Sequence, residues 1–365
     1  MNDPSLLADL VVVEVADGVA APFAARLLSD CGARVVKVER PGGDETRAWH
    51  GDDHVPDRSA TYFAFNHGKS GVVLDLETDA GTAELDALLA ECAVLVEDGR
   101  LDVARIADAF PHLVIVSVTP FGRSGPDCLR PGTELVAYAA GGAMWCTGLP
   151  EREPLYLGGN LVQAQAGSVA ALAALGAVMA AEATGRGQWI DVAWVDAEAG
   201  SFDRAVSQLL AYEYEGVNSR REDPLATGQP RGLYPCADGE VVINTIGSTI
   251  GNMVRVLGSA ELGDIAEQPA LVFTDDGRTR TDRVVREWLT TRGRADATRV
   301  AQAGGWSVTP VNDLLDAADD PWLVEAGAWV EVDGGPIGRV RIPAPAFTTD
   351  GGPEYRGPAP RLGGS

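Results

Sequence analysis

Basic side chains are scarce in this sequence of 365 residues, which carries 29 Lys and Arg against 53 Asp and Glu. The resulting formal charge of −24 at pH 7 would repel the phosphates of nucleic acids and of anionic membranes. We therefore expect neither a nucleic acid nor a membrane as a partner. An anionic ligand could bind only where a few Arg and Lys side chains cluster locally.

Cysteine and histidine are also few. The five cysteines form no Cys-x-x-Cys pair and are odd in number, and the four histidines lack metal-ligand spacing. These features predict neither a disulfide framework nor a metal site.

Long apolar segments and one common glycine motif are missing. The longest apolar run, near 169–181, is too short and too weakly hydrophobic to span a bilayer, and no positively charged leader precedes an apolar stretch in residues 1–9. We therefore expect a cytoplasmic protein. No Gly-x-Gly-x-x-Gly follows the first β-branched run, which disfavours a nicotinamide dehydrogenase.

The first half of the chain alternates short β-branched runs with helix-type apolar spacing, a pattern typical of an α/β fold with a parallel sheet. The predicted strands are 11–15, 35–38, 94–96, 113–118 and 189–192, and the predicted helices between them are 21–31 and 80–91. Such a sheet is covered on both faces and places ligands at the carboxyl ends of its strands.

Further along, the sequence predicts a long alanine-rich helix over 167–183 that ends at Gly185. The following elements are a helix over 197–214, a linker over 218–232, a hairpin over 232–244 around Asp238-Gly239, and a charged helix over 279–294. The tail from Gly334 has few periodic segments, and we expect it to wrap over other structure. We divide the chain into a large domain (1–217), a small α+β domain (218–320) and a C-terminal segment (321–365) that returns to the large domain.

Several segments, in the right order, resemble family III CoA-transferases, the superfamily that includes carnitine and bile-acid CoA-transferases and α-methylacyl-CoA racemases. They are residues 10–22, 32–44, 66–69 with 74–76, Gly158-Gly159 with Gly167, 184–188, 234–239 and 309–311. The resemblance covers nearly the whole chain. It implies a Rossmann-like large domain with a parallel sheet built from both chain ends, a smaller α+β domain, and two interlocked subunits.

Gln163 stands where this family carries its nucleophilic Asp, four residues before Gly167 in a match that needs no gap. In the family, that carboxylate attacks the thioester and splits one acyl exchange into easier covalent steps. An amide is a very poor nucleophile, so the covalent route should be closed at this residue. Gln163 could still polarise a thioester carbonyl by donating a hydrogen bond, or could simply fill the old site.

The racemase branch of the family uses the same Asp together with a His, and Thr133 stands in the place of that His. Two-base racemisation therefore lacks both bases. Glu134 matches an acidic position of the family and is the first candidate for acid–base chemistry. The alternative is that Glu134 makes a structural hydrogen bond to the backbone.

The resemblance also implies a set of CoA-binding positions. Arg40 follows the second strand where the family places an arginine near the adenosine, and a guanidinium suits phosphate geometry. The other matching positions are Val19, Ala20, Leu74, Asp75, Leu76, Glu77, Asp98, Gly99 and Arg105. The family's Asn-Phe pair is Asp98-Gly99 here, and its Lys-Arg-Ser is Lys69-Ser70-Gly71, so some positive charge is lost.

We interpret the chain as an acyl-CoA-binding protein that transfers CoA between an acyl-CoA and a small carboxylic acid. The competing hypotheses are a non-catalytic subunit of a heteromeric CoA-transferase and a racemase-like or repurposed acyl-CoA enzyme. The expected assembly is a homodimer or a heterodimer with a paralogous, Asp-bearing subunit.

Overall fold

The computed structural model describes residues 5–49, 59–201, 205–218, 221, 230–244, 250–335, 338–347, 355 and 357–363. The chain divides into two compact units. The first comprises 1–148, 154–219 and 324–365, and the second comprises 149–153 and 220–323. The predicted linker 218–232 lies mostly outside the described residues.

A six-stranded parallel sheet forms the centre of the first unit, with the strand order β3-β2-β1-β4-β5-β6. Its strands are β1 (Val11–Val15), β2 (Arg34–Glu39), β3 (Ser70–Val73), β4 (Val94–Glu97), β5 (Val114–Thr119) and β6 (Trp189–Ala193). The five strands predicted from β-branched runs are all present. The sequence analysis missed β3, an edge strand that begins with Ser70 and Gly71, two residues of low strand propensity.

Both faces of this sheet are covered, because successive residues of each strand point to opposite sides. Val12 belongs to the apolar cluster that includes the helices α1 and α6, whereas Val13 and Val15 belong to the cluster on the other face. The helices of this unit are α1 (Ala20–Asp30), α2 (Ala60–Asn66), α3 (Asp79–Glu91), α4 (Val103–Ala109), α5 (Glu134–Ala140), α6 (Leu161–Thr184), α7 (Trp194–Ala199) and α8 (Ala205–Glu215).

Helix α6 begins at Leu161, earlier than the predicted start at Gly167. It ends as expected at Gly185, whose φ of 70° is left-handed and therefore favours glycine. Among the described residues, this is the one helix long and apolar enough to cross a membrane, and 33% of its most apolar window is buried. One such helix is weak evidence for a membrane span, since the core helix of a soluble protein can be equally long and apolar.

The predicted helix over 197–214 is two helices, because α7 ends at Gly200 and α8 starts after residues 202–204, which are not described. The C-terminal part of the first unit forms a separate antiparallel hairpin of β10 (Trp329–Asp333) and β11 (Arg339–Pro343). Both chain ends therefore build this unit, but among the described residues all six strands of the parallel sheet come from 11–193. For the described residues, the expectation that the C-terminal end adds a strand to the parallel sheet is therefore wrong.

The described part of the C-terminal tail contacts other structure. The carbonyl oxygen of Pro360 accepts hydrogen bonds from Arg47 Nη2 at 2.9 Å and from the Tyr62 hydroxyl at 3.2 Å. Gly71 gives this tail room, because a Cβ there would lie 2.7 Å from the Pro360 side chain.

The second unit packs helices on a three-stranded antiparallel sheet of β7 (Arg231–Cys236), β8 (Gly239–Asn244) and β9 (Val308–Pro310). The hairpin predicted around Asp238-Gly239 is present. Its helices are α9 (Ile250–Leu257), α10 (Ala260–Glu267), α11 (Asp275–Thr290), α12 (Arg294–Ala303) and α13 (Leu314–Ala318), and α14 (Pro321–Glu325) follows. Helix α11 starts before the predicted 279, because the Thr274 side chain accepts the Gly277 N–H and caps it there.

Candidate active site

A cavity of about 670 Å³ opens at the carboxyl ends of β1, β2, β3 and β4. This is the edge where parallel α/β sheets bind ligands. Its walls come from Val15 of β1, the end of β2, the turn after β3, and the loop that joins β4 to α4. The lining residues are Val15, Val38, Glu39, Arg40, Pro41, Leu74, Asp75, Leu76, Glu77, Thr82, Leu85, Arg100, Leu101, Asp102, Arg105 and Ile106.

Three arginines line this cavity, and each faces a carboxylate. Arg105 makes two hydrogen bonds of 3.0 Å to Asp86. Arg100 donates from Nε to Asp98 at 2.7 Å. The three arginine side chains are 33% to 59% exposed, so solvent reaches each of them.

One carboxylate, that of Asp17 after β1, lies between two of these guanidiniums. Its Oδ2 atom is 2.9 Å from Arg100 Nη2 and 3.5 Å from Arg40 Nη2. The side chain is 10% exposed. Burial raises the pKa of Asp17, and this effect outweighs the lowering by Arg100.

Buried charges hold the turn that carries Asp17. Lys37 Nζ donates to Glu14 Oε1 at 2.7 Å and to the carbonyl oxygen of Ala16 at 2.8 Å, and it pairs with Asp44 at 2.8 Å. Burial acts to lower the pKa of Lys37, but Glu14 and Asp44 together raise it. The turn is therefore fixed from inside the protein.

Val19 and Ala20 lie at the start of α1 and are buried. Neither lines the cavity. Helix α1 packs closely on α6 here, because a Cβ at Gly167 would lie 2.5 Å from the carbonyl oxygen of Ala20. The start of α1 is therefore next to the first turns of α6.

Gln163 lies in the first turn of α6 and is 7% exposed. Its backbone N–H donates to Glu134 Oε2 at 3.1 Å, and the N–H of Val162 donates to Glu134 Oε1 at 2.7 Å. Glu134 therefore caps α6, because its carboxylate accepts N–H groups that have no partner within the helix and sits at the positive end of the helix dipole. Within the described residues, no hydrogen bond joins the Gln163 carboxamide to another side chain.

Thr133, Tyr156 and Gly159 form hydrogen bonds and a turn near Glu134. Thr133 caps α5, because its hydroxyl accepts the N–H of Val136 at 3.4 Å. This is the residue that stands in the place of the histidine of the racemases. Burial, followed by the charge of Glu134, raises the pKa of Tyr156, and its hydroxyl donates to the carbonyl oxygen of Gly159 at 3.0 Å. Gly159 has a φ of 66°, a backbone conformation that favours glycine.

Comparison with known proteins identifies the family to which this fold and site belong. The family model for CoA-transferase family III matches residues 7–365. The chain belongs to CoA-transferase family III.

Among its curated relatives, this family III chain is 30% identical over 339 residues to the succinyl-CoA:(R)-benzylsuccinate CoA-transferase subunit BbsE of Thauera aromatica, with 86% of this chain and 80% of the relative covered. It is 28% identical to succinate–glutarate CoA-transferase of Agrobacterium fabrum, with 98% and 93% covered. A crystal structure of a CAIB/BAIF family protein from Brucella suis superposes with a TM-score of 0.84 at 27% identity, covering 97% of this chain and 95% of that one.

Six of the CoA-binding positions predicted for this family III chain line this cavity: Arg40, Leu74, Asp75, Leu76, Glu77 and Arg105. Asp98 and Gly99 lie just beyond β4, where Asp98 Oδ2 accepts the backbone N–H of Asp17 at 2.9 Å. Neither residue lines the cavity.

Sequence reasoning missed Arg100 and Asp17. The signal for Arg100 was its place directly after Asp98-Gly99, at the end of a predicted strand. Asp17 similarly follows the first strand. Among the described residues, no group of three or more His, Cys, Asp and Glu side chains is arranged to hold a metal ion.

Proposed function

We propose that this family III protein binds an acyl-CoA with the nucleotide end in the cavity beyond β2, β3 and β4, and serves in CoA transfer between that acyl-CoA and a small carboxylic acid. The observation that carries the proposal is the convergence of Arg40, Arg100 and Arg105 on one cavity of about 670 Å³ in a chain of net charge −24. Guanidinium groups bind phosphate oxygens in bidentate geometry. A local cluster of cations is what an anionic coenzyme needs on an acidic surface.

The chemistry at residue 163 limits what this chain does alone. The Gln163 carboxamide can donate a hydrogen bond to a thioester carbonyl but has no ionised oxygen to attack it. Both oxygens of Glu134 already accept backbone N–H groups, which stabilises the carboxylate and makes it a weaker nucleophile.

A second candidate function follows from this chemistry: the chain is the subunit of a heteromeric CoA-transferase that lacks the nucleophile and works beside an Asp-bearing paralogue. The amide at position 163 favours it, and so does the relative from Thauera aromatica, which is itself named as a subunit. Assays of the chain alone and with such a paralogue separate the two functions.

We further propose that the chain acts as an interlocked dimer in the cytoplasm, with either a second copy or the paralogue. The exposed face of α6 supports an assembly, because it carries Val169, Leu172 and Met179, of which Leu172 is 73% exposed in the single chain. Large exposed apolar patches mark interaction surfaces.

The test of acyl-CoA binding is Arg40→Ala, which removes a charge-assisted contact to a CoA phosphate. Such contacts contribute about 1.5–3 kcal/mol, so we expect CoA and acetyl-CoA to bind about tenfold more weakly in isothermal titration calorimetry. Arg34→Ala is the matched control, because Arg34 is an exposed arginine at the start of β2, the strand that Arg40 follows. Equal affinity in the Arg40 and Arg34 variants would remove Arg40 from the site, and no binding by the wild type would refute the proposed function.

A further inference from the structure

Two arginines of the cavity that we assign to the nucleotide already face an anion of the protein's own, although Asp17 itself does not line the cavity. The Asp17 carboxylate lies 2.9 Å from Arg100 and 3.5 Å from Arg40, and both arginines line the cavity. A carboxylate between two guanidiniums occupies the same kind of position that a phosphate would take.

The backbone at Asp17 is held in place, whereas the side chains of its two arginine partners are more exposed. Its backbone N–H donates to Asp98 Oδ2 at 2.9 Å, and the next N–H, that of Gly18, donates to Asp44 Oδ1 at 3.3 Å. The Asp17 side chain is 10% exposed, but that of Arg40 is 59% exposed and that of Arg100 is 33% exposed. An incoming anion would therefore draw the arginine side chains away from a carboxylate that stays where it is.

The environment of Asp17 is also poorly compensated. Its Oδ1 atom is buried and has no hydrogen-bond partner among the described residues. A buried oxygen left unpaired is costly, so the position stabilises the fold weakly at best. This pairing of a carboxylate that has one unpaired oxygen with partly exposed arginine side chains fits a role in ligand binding better than a role in stability.

We propose that Asp17 is an internal competitor for the phosphates of the CoA ligand. Asp17 engages Arg40 and Arg100, and a bound coenzyme must displace it from both. Asp17 therefore weakens CoA binding and favours release of the CoA product. This inference rests on the proposed function, because it requires the phosphates to bind in this cavity.

The direction of the effect distinguishes competition from support. If Asp17 oriented the arginines for the ligand, its removal would weaken CoA binding. If it competes, its removal releases Arg40 to water, leaves Arg100 with one carboxylate partner instead of two, and takes a negative charge away from the phosphates. Arg100 keeps its second partner, Asp98, in either case.

The decisive experiment is Asp17→Asn, a change of nearly equal size that removes the charge. We expect CoA to bind about fivefold more tightly, because a partly exposed ion pair contributes up to about 1 kcal/mol and each 1.4 kcal/mol is tenfold in affinity. Calorimetry with CoA measures this directly. Asp108→Asn is the control, since Asp108 is an exposed acid on the helix that carries Arg105, and we expect its affinity to stay within about twofold of the wild type.

A second comparison shows whether Asp17 acts through the arginines. In an Arg100→Gln background, Asp17→Asn should tighten CoA binding less than in the wild type, because one of the two cations that Asp17 engages is absent. Equal tightening in both backgrounds would assign the effect to general electrostatics and overturn the proposal.

The remaining outcomes are also clear. Unchanged or weaker CoA binding by Asp17→Asn, at an unchanged melting temperature, overturns the competition. Asp17→Ser removes the same charge with a smaller side chain and serves the same test if the Asn variant melts early. If the wild type binds CoA and Arg40→Ala weakens that binding while Asp17→Asn does not tighten it, only the competition fails. If the wild type does not bind CoA, both proposals fail.

Discussion

Gln163 shows how far a single residue can be predicted from the sequence. Its place in the family pattern follows from Gly158 and Gly167, which fix the register on both sides. Its setting does not follow, because its N–H donates to Glu134, a residue 29 positions earlier in the chain. Contacts between residues so far apart depend on the assembled helices α5 and α6. The prediction located the residue and left its surroundings open.

We expect the wild-type protein to form no covalent acyl or CoA adduct at Gln163, because an amide has no ionised oxygen for attack. Gln163→Asp introduces the family's own nucleophile, and we expect it to gain an adduct that hydroxylamine cleaves. Mass spectrometry after incubation with several acyl-CoAs measures both. The control is Gln163→Asn, which shortens the side chain equally but supplies no carboxylate.

An adduct on the Asp variant and none on the Asn variant would show that the frame around residue 163 still supports the family chemistry. An adduct mapped to Gln163 in the wild type would contradict our reading of this residue. An adduct on Glu134 instead would make the chain an enzyme with a relocated nucleophile.

At the scale of elements, valine-rich runs predicted the strands well. The helix-type apolar spacing predicted the helix boundaries less well. β1 and β5 are β-branched and buried on both faces, so their sequence alone indicates strands. The start of α6 was misplaced because Gly167 resembles a helix boundary. In the structure it is instead the site of close approach between α6 and α1, a tertiary contact that no local pattern reveals.

Two glycines of α6 should therefore respond oppositely to alanine. Gly167→Ala would place a Cβ 2.5 Å from the backbone oxygen of Ala20, so we expect it to lower the free energy of unfolding by about 1–3 kcal/mol. In the single chain, a Cβ at Gly176 meets no heavy atom within 4 Å among the described residues, so Gly176→Ala should raise the free energy of unfolding by about 0.5–1 kcal/mol through helix propensity unless the proposed partner covers this face, which also carries Leu172 and Met179. Urea denaturation followed by circular dichroism measures both changes.

The two variants control each other, since both add one methyl group to the same helix. Equal effects of the same sign would show that α6 does not pack on α1 through Gly167. A loss of stability at Gly176 alone would place a neighbouring chain over that position.

At the scale of the whole molecule, the net charge of −24 predicted that cations for a coenzyme must be clustered. The resemblance predicted Arg40 and Arg105 in that cluster. It did not predict that each arginine would face a carboxylate, because Asp86 and Asp17 become their neighbours only when the strands are ordered around β1. Composition thus indicated how the charge must be distributed, and only the fold shows which groups are paired.

The apolar face of α6 leads to the last prediction, that the protein assembles in solution as an obligate dimer or with a paralogue. Leu172 is 73% exposed in the single chain, and a subunit interface would remove this apolar surface from water. We expect analytical ultracentrifugation to detect no folded monomer at nanomolar concentration, since the interlocked subunits that we propose would separate only by unfolding. Leu172→Glu should prevent this assembly, whereas Leu129→Glu, at a loop residue that is 94% exposed, should leave it intact. A wild-type monomer with native circular dichroism would contradict the homodimer and leave only assembly with a paralogue, and equal behaviour of the two Glu variants would remove α6 from the interface.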